Sequence, residues 1–197
     1  MLSHRTKNSG AKRNAVRRSN KGPGKKQEMI VRIERFLRLV GIAAACILIP
    51  AQILVSLSYL TGRRIIHFGT TPLQELEWHI FLALIFLSFG PVYLANRHVR
   101  IDVFRERFSE RTRAYVELIG IFFALIPFAL ALTYFGASFA WKAYLVDEGS
   151  RAALGLPNRW IIKSMIPIGG LLMLLAGLVK AKQSLSTLRG TAVGTGA

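Results

Sequence analysis

Residues 39–60 read LVGIAAACILIPAQILVSLSYL, a run without a charged side chain. Three further runs are similar. The single acidic or basic side chain in residues 78–95 is His79, and in residues 160–179 it is Lys163, near their start; residues 118–141 contain none. Each is close to the roughly 20 residues that a helix needs to cross a hydrocarbon core about 30 Å thick. Because backbone polar groups in lipid must be satisfied within the segment, the chain is predicted to be an all-α integral membrane protein with four transmembrane helices.

The basic residues are distributed unequally among the segments that flank these runs. Of the 27 Lys and Arg, twelve precede the first run, six lie between the second and third, and three follow the fourth. With four spans these segments share one side, which holds twenty-one basic residues against six on the other. Cytoplasmic segments carry the excess of Lys and Arg, so the predicted topology is N-in and C-in. Loops 61–77 and 142–159 are then outside.

The N-terminal region has a composition that does not support a packed core. Residues 1–28 are rich in Lys, Arg, Asn, Ser and Gly, with no acidic residue before Glu28. Such a segment is predicted to be a disordered cytoplasmic tail, and membrane lipids with anionic head groups are its expected partner. No aromatic residue interleaves the charges, so no nucleic acid is expected as a partner.

A short amphipathic segment leads into the first span. Ile30, Ile33 and Leu37 recur at helical spacing among charged residues, which predicts an interfacial helix at the membrane surface. The transmembrane domain is therefore predicted to cover residues 29–180, and residues 181–197 a flexible cytoplasmic C-terminal tail.

Two of the predicted spans carry a distinctive helical face. The first has Gln52, Ser56 and Tyr59 on one stripe, and polar groups inside a membrane usually hydrogen-bond to a neighbouring helix. In the third, small residues let another helix approach closely, and the face is predicted either to pack within this chain or to dock another subunit. Its members are Ala129, Thr133, Gly136, Ala137 and Ala140.

The sequence contains no pattern typical of an enzyme or of a metal site. No span has a charged residue near its middle, and Cys46 alone makes neither a disulfide nor a metal site. Nucleotide-binding glycine loops and HExxH motifs are absent. We therefore predict no catalytic, substrate-binding or metal residues, no cofactor and no enzyme activity. Four helices without a pair of broken repeats favour a subunit of a larger assembly.

Several strings between residues 73 and 169 resemble the same known family. They are residues 73–81 (LQELEWHIF), 98–104 (HVRIDVF), 148–150 (EGS), 155–157 (GLP), 159–163 (RWIIK) and 166–169 (IPIG). Together they resemble the small, DctQ-type membrane subunit of tripartite ATP-independent periplasmic (TRAP) transporters. The long basic tail is a departure from that pattern.

The resemblance implies a bacterial inner-membrane, multi-pass protein that takes part in organic acid uptake, usually by sodium symport. Its implied partners are a large TRAP membrane subunit, which holds the substrate and ion sites, and a periplasmic solute-binding protein. The small permease subunit would scaffold the large one and help dock the binding protein. Residues 74–79 (QELEWH) resemble those of a subgroup linked to the uptake of 2-oxo acids or similar carboxylates.

The same strings supply candidate residues for a partner interface or structural motif. They are His98, Arg100, Asp102, Glu75, Glu77, Trp78, Arg159, Trp160 and Lys163. The polar residues at 98–102 are expected to form an ordered cluster against the large subunit, or else a solvated loop. Glu75 or Glu77 is expected to pair with Arg63, Arg64 or Lys163, to pair with the partner, or to stay exposed. A four-helix assembly or tethering protein, using its basic tail on anionic lipid or nucleic acid, is the alternative function.

Overall fold

The computed structural model describes residues 25–66, 71–95, 109–152 and 154–193, which are helical apart from one loop and short ends. Its elements are α1 (Lys25–Thr61), a π-helical turn (Gly62–Ile66), α2 (Thr71–Leu94), α3 (Glu110–Gly120), a second π-helical turn (Ile121–Leu125), α4 (Ile126–Leu145), α5 (Trp160–Lys163) and α6 (Met165–Val193). In these ranges four helices are long and apolar enough to cross a membrane: Gln27–Ile65, Thr71–Leu94, Arg111–Leu145 and Trp160–Arg189. The prediction of an all-α chain with four such helices is confirmed.

Helix α6 is the element against which α2, α3 and α4 all pack. Its side chains Leu172, Ala176 and Val179 are buried. Glycines bring α2 and α6 into backbone contact, since a Cβ on Gly90 would lie 2.6 Å from the carbonyl oxygen of Leu172. Lipid offers no hydrophobic driving force between helices, so van der Waals contact of this kind holds them together.

The contacts divide the chain at residue 33 into two units. In the first unit the described residues are the opening turns of α1. In the second, α1 contacts α2 at Gly41, where an added Cβ would lie 2.7 Å from the Cβ of Pro91. Helix α1 also contacts α2 at Ser56, whose hydroxyl donates to the Glu77 carboxylate at 2.5 Å. Elsewhere this part of α1 exposes a largely aliphatic surface.

The helices extend further than the runs that predicted them. Helix α1 begins at Lys25, within the predicted tail, and continues into the first span. Helix α6 reaches Val193, beyond residue 179 where the fourth span was predicted to end and residue 181 where the flexible tail was predicted to begin. Both extensions lack proline, and a formed helix propagates readily through Lys, Gln, Leu and Ala. Residues 1–24 of the predicted tail lie outside the described residues.

The third span consists of α3, the second π-helical turn and α4. The turn precedes Pro127, whose ring crowds the carbonyl four residues back, and the Ile126 amide bonds to Ile121 instead. On the predicted small-residue face, Ala129, Gly136 and Ala140 are buried and Thr133 is half-buried, whereas Ala137 is exposed. A Cβ on Gly136 would lie 2.7 Å from Cγ2 of Ile166, which places this face against α6.

Candidate interaction site at the α4–α5 loop

Residues 146–159, called here the α4–α5 loop, are attached to α2 by one carboxylate. Glu75 lies in the second turn of α2 and is half-buried. Its Oε2 accepts a hydrogen bond from the Leu156 amide at 2.7 Å, and its Oε1 accepts one from the Ser150 hydroxyl. These partners lie 75 and 81 residues further along the chain. Glu75 therefore fixes both sides of the loop to the start of the second span.

The loop is further ordered by its own backbone. The Ser150 amide donates to the Leu156 carbonyl at 3.1 Å, and the Ala152 amide donates to the Ser150 hydroxyl at 3.1 Å. The Gly155 amide donates to the Ala152 carbonyl at 3.0 Å. Because these bonds close a turn, the described residues between Ser150 and Leu156 form one ordered tip.

Among the described residues of the loop, three that are not glycine have a positive φ: Asp147 at 46°, Leu154 at 65° and Asn158 at 58°. Asp and Asn tolerate this region, since their short side chains bond locally, but a leucine there is strained. The Leu154 side chain is also 83% exposed. The loop therefore holds an apolar side chain in an unfavourable backbone conformation without burying it in this chain.

An ion pair joins the start of the loop to α5. Lys163 of α5 donates to the Glu148 carboxylate at 2.5 Å and lies 3.8 Å from the centre of the Phe139 ring. The Arg159 amide donates to the Glu148 carbonyl at 2.9 Å. The hydrogen bond from Lys163 is the main reason that the pKa of the Glu148 carboxyl is lowered from its ordinary value.

The candidate residues from the sequence divide into three groups. Glu75 and Lys163 lie at the loop, although they bond to Ser150 and Glu148 and not to each other. Trp160 packs edge-on against Tyr144, with 5.5 Å between the ring centres, beside the Arg159 amide that bonds to the loop.

Glu77 lies away from the loop and bonds to Ser56, while the Trp78 side chain is 72% exposed. Ser56 belongs to the polar stripe of the first span, where Oε1 of Gln52 is buried without a partner among the described residues.

The residues His98, Arg100 and Asp102 lie outside the described part of the chain. The carboxylates of Glu75 and Glu77 thus accept hydrogen bonds from nearby hydroxyl and amide groups. They form no ion pair with the predicted partners Arg63, Arg64 or Lys163.

The contact between Glu75 and the α4–α5 loop was not predicted from the sequence. Ser150 and Leu156 belong to the strings 148–150 and 155–157, but nothing in their spacing indicates that one distant carboxylate binds both. The arrangement holds a loop in place. No group of three His, Cys, Asp or Glu that could hold a metal occurs in the part of the chain that the structure describes.

Comparison with known proteins identifies the family. The family model "Tripartite ATP-independent periplasmic transporters, DctQ component" matches residues 52–187. The chain belongs to this DctQ family. A comparison with curated proteins gives no match.

Membership of the DctQ family gives the chain its general role. DctQ proteins are small permease subunits of TRAP transporters, and they function with a large membrane subunit and a periplasmic binding protein. The chain is thus a multi-pass protein of the bacterial inner membrane, and its family is one of transporter subunits and not of enzymes. The matched region includes Glu75, the whole α4–α5 loop and all of α4.

Proposed function

We propose that this DctQ subunit has both termini in the cytoplasm, scaffolds the large TRAP subunit and presents the α4–α5 loop to the periplasmic binding protein. The transported substrate is an organic acid, of the 2-oxo acid or a similar carboxylate class, and uptake is coupled to sodium. Anionic lipid head groups bind the basic N-terminal tail. The observation that carries the docking role is the ordered loop tip with the exposed, strained Leu154.

The orientation is supported by charge. The α4–α5 loop contains Arg151 and Arg159, and Lys142 lies just before it. It belongs to the predicted side that has six basic residues, against twenty-one on the other. A tip on the periplasmic side can meet a binding protein in that compartment. Backbone strain is retained at positions where a function requires it, and an exposed strained leucine fits a contact made with another protein.

A scaffold role is supported by the absence of ion-binding chemistry inside the spans. None of the four apolar runs has a charged residue near its middle, and substrate or ion pathways in membranes depend on such residues. Reconstituted alone in liposomes with a sodium gradient, the chain should take up no organic acid. Uptake should appear only when the large subunit and the binding protein are added, and transport by the isolated chain would overturn the proposal.

The topology can be tested by labelling single cysteines in a Cys46→Ser background. Thr70→Cys and Arg151→Cys should react with an impermeant thiol reagent in whole cells whose outer membrane is permeabilised, and Ser109→Cys should not. Arg151 is preferable to Ser150, since the Ser150 hydroxyl holds the loop to Glu75. Labelling of Ser109→Cys in intact cells would contradict the N-in, C-in topology.

Docking can be tested with Leu154→Ser in the complete transporter. We expect slower uptake at low concentrations of binding protein and recovery when the binding protein is in excess, because only its recruitment is weakened. Ile65→Ser is the matched control, since Ile65 lies in the other predicted outside loop and its side chain is 74% exposed. Equal uptake by both variants and the wild type at every concentration would remove the loop tip from the docking surface.

The string at 98–104 can be tested in the same complex. Arg100→Ala and Asp102→Ala should weaken assembly or uptake and leave substrate binding by the isolated binding protein unchanged, because these residues are on the predicted cytoplasmic side. Normal assembly and uptake in both variants would reduce the string to a topology signal.

A further inference from the structure

Helix α4 exposes a polar group within its apolar span. The Tyr134 side chain is 72% exposed, and its ring packs edge-on against Phe135, with 5.3 Å between ring centres. Among the described residues its hydroxyl has no hydrogen-bond partner. Water would satisfy such a group at the surface of a soluble protein, whereas hydrocarbon cannot.

The depth of this hydroxyl follows from helix geometry. Tyr134 precedes Trp141 by seven residues, which is about 10 Å along the axis, and exposed Trp141 marks the membrane–water interface. Side chains on a helix tilt towards its N-terminus. The Tyr134 phenol therefore extends away from the interface at Trp141 and towards the middle of the bilayer, so it cannot reach the nearer head groups.

Of the neighbours of Tyr134 on the same side of α4, Leu130 is large and 53% exposed, whereas the two at a spacing of three residues are alanines. Ala131 and Ala137, three residues before and after it, are both exposed. We call the surface formed by Ala131, Tyr134 and Ala137 the Tyr134 face. It lies away from the buried residues Ala129 and Gly136, which pack on α6. The two alanines, three residues before and after Tyr134, leave room for a second backbone to approach the phenol beside Leu130.

The exposed surface of α1 differs from the Tyr134 face. It presents mainly large aliphatic side chains, among them Ile47, Ile53, Leu54 and Leu57. Lipid chains satisfy such a surface without any protein partner, whereas they cannot satisfy an unpaired hydroxyl. The two surfaces therefore call for different neighbours.

We propose that the Tyr134 face is the surface on which the large membrane subunit packs, and that a helix of that subunit supplies a hydrogen-bond acceptor to the Tyr134 hydroxyl near the middle of the bilayer. The large subunit is the membrane partner with which DctQ proteins function, and the inference rests on the proposed scaffold role. The aliphatic surface of α1 faces lipid.

Tryptophan substitution compares the two surfaces. In the co-expressed complex, Ala131→Trp should lower the amount of large subunit that co-purifies with the small subunit by about ten-fold, as expected when close packing is blocked. Ala43→Trp is the matched control, because Ala43 is an exposed alanine of α1, and its yield should equal that of the wild type. Loss with Ala43→Trp but not with Ala131→Trp would overturn the assignment.

Two further measurements remain decisive if Ala131→Trp fails to accumulate in membranes. Tyr134→Phe removes one oxygen and should weaken co-purification about three-fold, the effect of one hydrogen bond between membrane helices. A photoreactive benzophenone amino acid at position 134 should cross-link to the large subunit, and the same probe at Leu54 should not. Cross-links from position 134 only to lipid or to a second small subunit would overturn the proposal. Failure of the wild-type pair to co-purify would instead refute the scaffold role itself.

Discussion

Replacing Glu75 with alanine removes the carboxylate that holds the α4–α5 loop against α2. The variant loses the bonds from the Leu156 amide and the Ser150 hydroxyl together. Hydrogen bonds to charged groups contribute about 1.5–3 kcal/mol each, but Glu75 is only half-buried and water replaces part of the loss. We therefore expect local opening of the loop to become easier by about 2 kcal/mol, or about 30-fold.

Hydrogen exchange at the Leu156 amide measures this opening directly. The amide donates to Glu75 in the closed loop, so its exchange reports the fraction of time for which the contact is broken. Mass spectrometry of peptides covering residues 150–156, with the protein in nanodiscs, should show about 30-fold faster exchange in Glu75→Ala. Glu75→Gln keeps one acceptor oxygen and should give an intermediate rate.

The control for this experiment is Glu77→Ala. Glu77 lies two residues away on α2 but bonds to Ser56, so its loss should leave Leu156 exchange at the wild-type rate. If Leu156 exchanges at the same rate in Glu75→Ala and in the wild type, the backbone bonds within the loop suffice to order it. The hydrogen bonds of Glu75 would then be excluded as the reason that the loop is ordered.

Three further predictions concern the loop and the packing of α2. The contact between Glu148 and Lys163 stabilises the fold above the ordinary Glu pKa of 4.5, and because the folded pKa is lower, this stability is lost as the pH falls through that lower value. Thermal unfolding of Glu148→Gln should therefore differ from wild type at neutral pH and converge with it in strong acid; a constant difference would contradict this. Gly90→Ala should lower the unfolding temperature, because the new methyl would meet the α6 backbone. Gly120→Ala should not lower it, because nothing lies within 4 Å of the added Cβ. An unfolding temperature of Gly90→Ala equal to that of the wild type would refute the close approach of α2 and α6. Leu154→Gly should slow hydrogen exchange in the loop by relieving strain of about 1–2 kcal/mol, and faster exchange would contradict that interpretation.

Much of the helical architecture could be predicted from local sequence. The four spans follow from apolar runs of membrane-spanning length, and the buried residues Ala129, Gly136 and Ala140 follow from small residues at helical spacing. Ala137 was placed on the same face but is exposed, because the face that packs on α6 is narrower than the set of small residues. The helix ends differed more from the predicted bounds, since residues with high helix propensity extend α6 past the end of its apolar run.

The candidate site could be predicted only in part, for a physical reason. A carboxylate at a membrane surface can bind a cation, a hydroxyl, an amide or water, and these alternatives differ by little energy until the fold places one of them nearby. Glu75 was recognised as a candidate, but its partners Ser150 and Leu156 approach only because α2 and the α4–α5 loop meet at the same end of α6. Lys163 was expected near a carboxylate, and the fold supplies Glu148, fifteen residues away, in place of Glu75.

The two kinds of contact in this chain have separate consequences for function. Between the helices, glycine and alanine provide backbone contact that depends on shape, as at Gly90 and Gly136. At the loop, Glu75 and Glu148 provide polar contacts that depend on charge and hydrogen bonding. Because the loop bonds lie at one end of the helices and the small-residue contacts lie along them, weakening the loop should leave the helix packing intact. A variant such as Glu75→Ala should then impair recruitment of the binding protein while the large subunit still co-purifies. Substitutions on the Tyr134 face should have the opposite effect, so the two partner interactions of a DctQ subunit become separable by mutation.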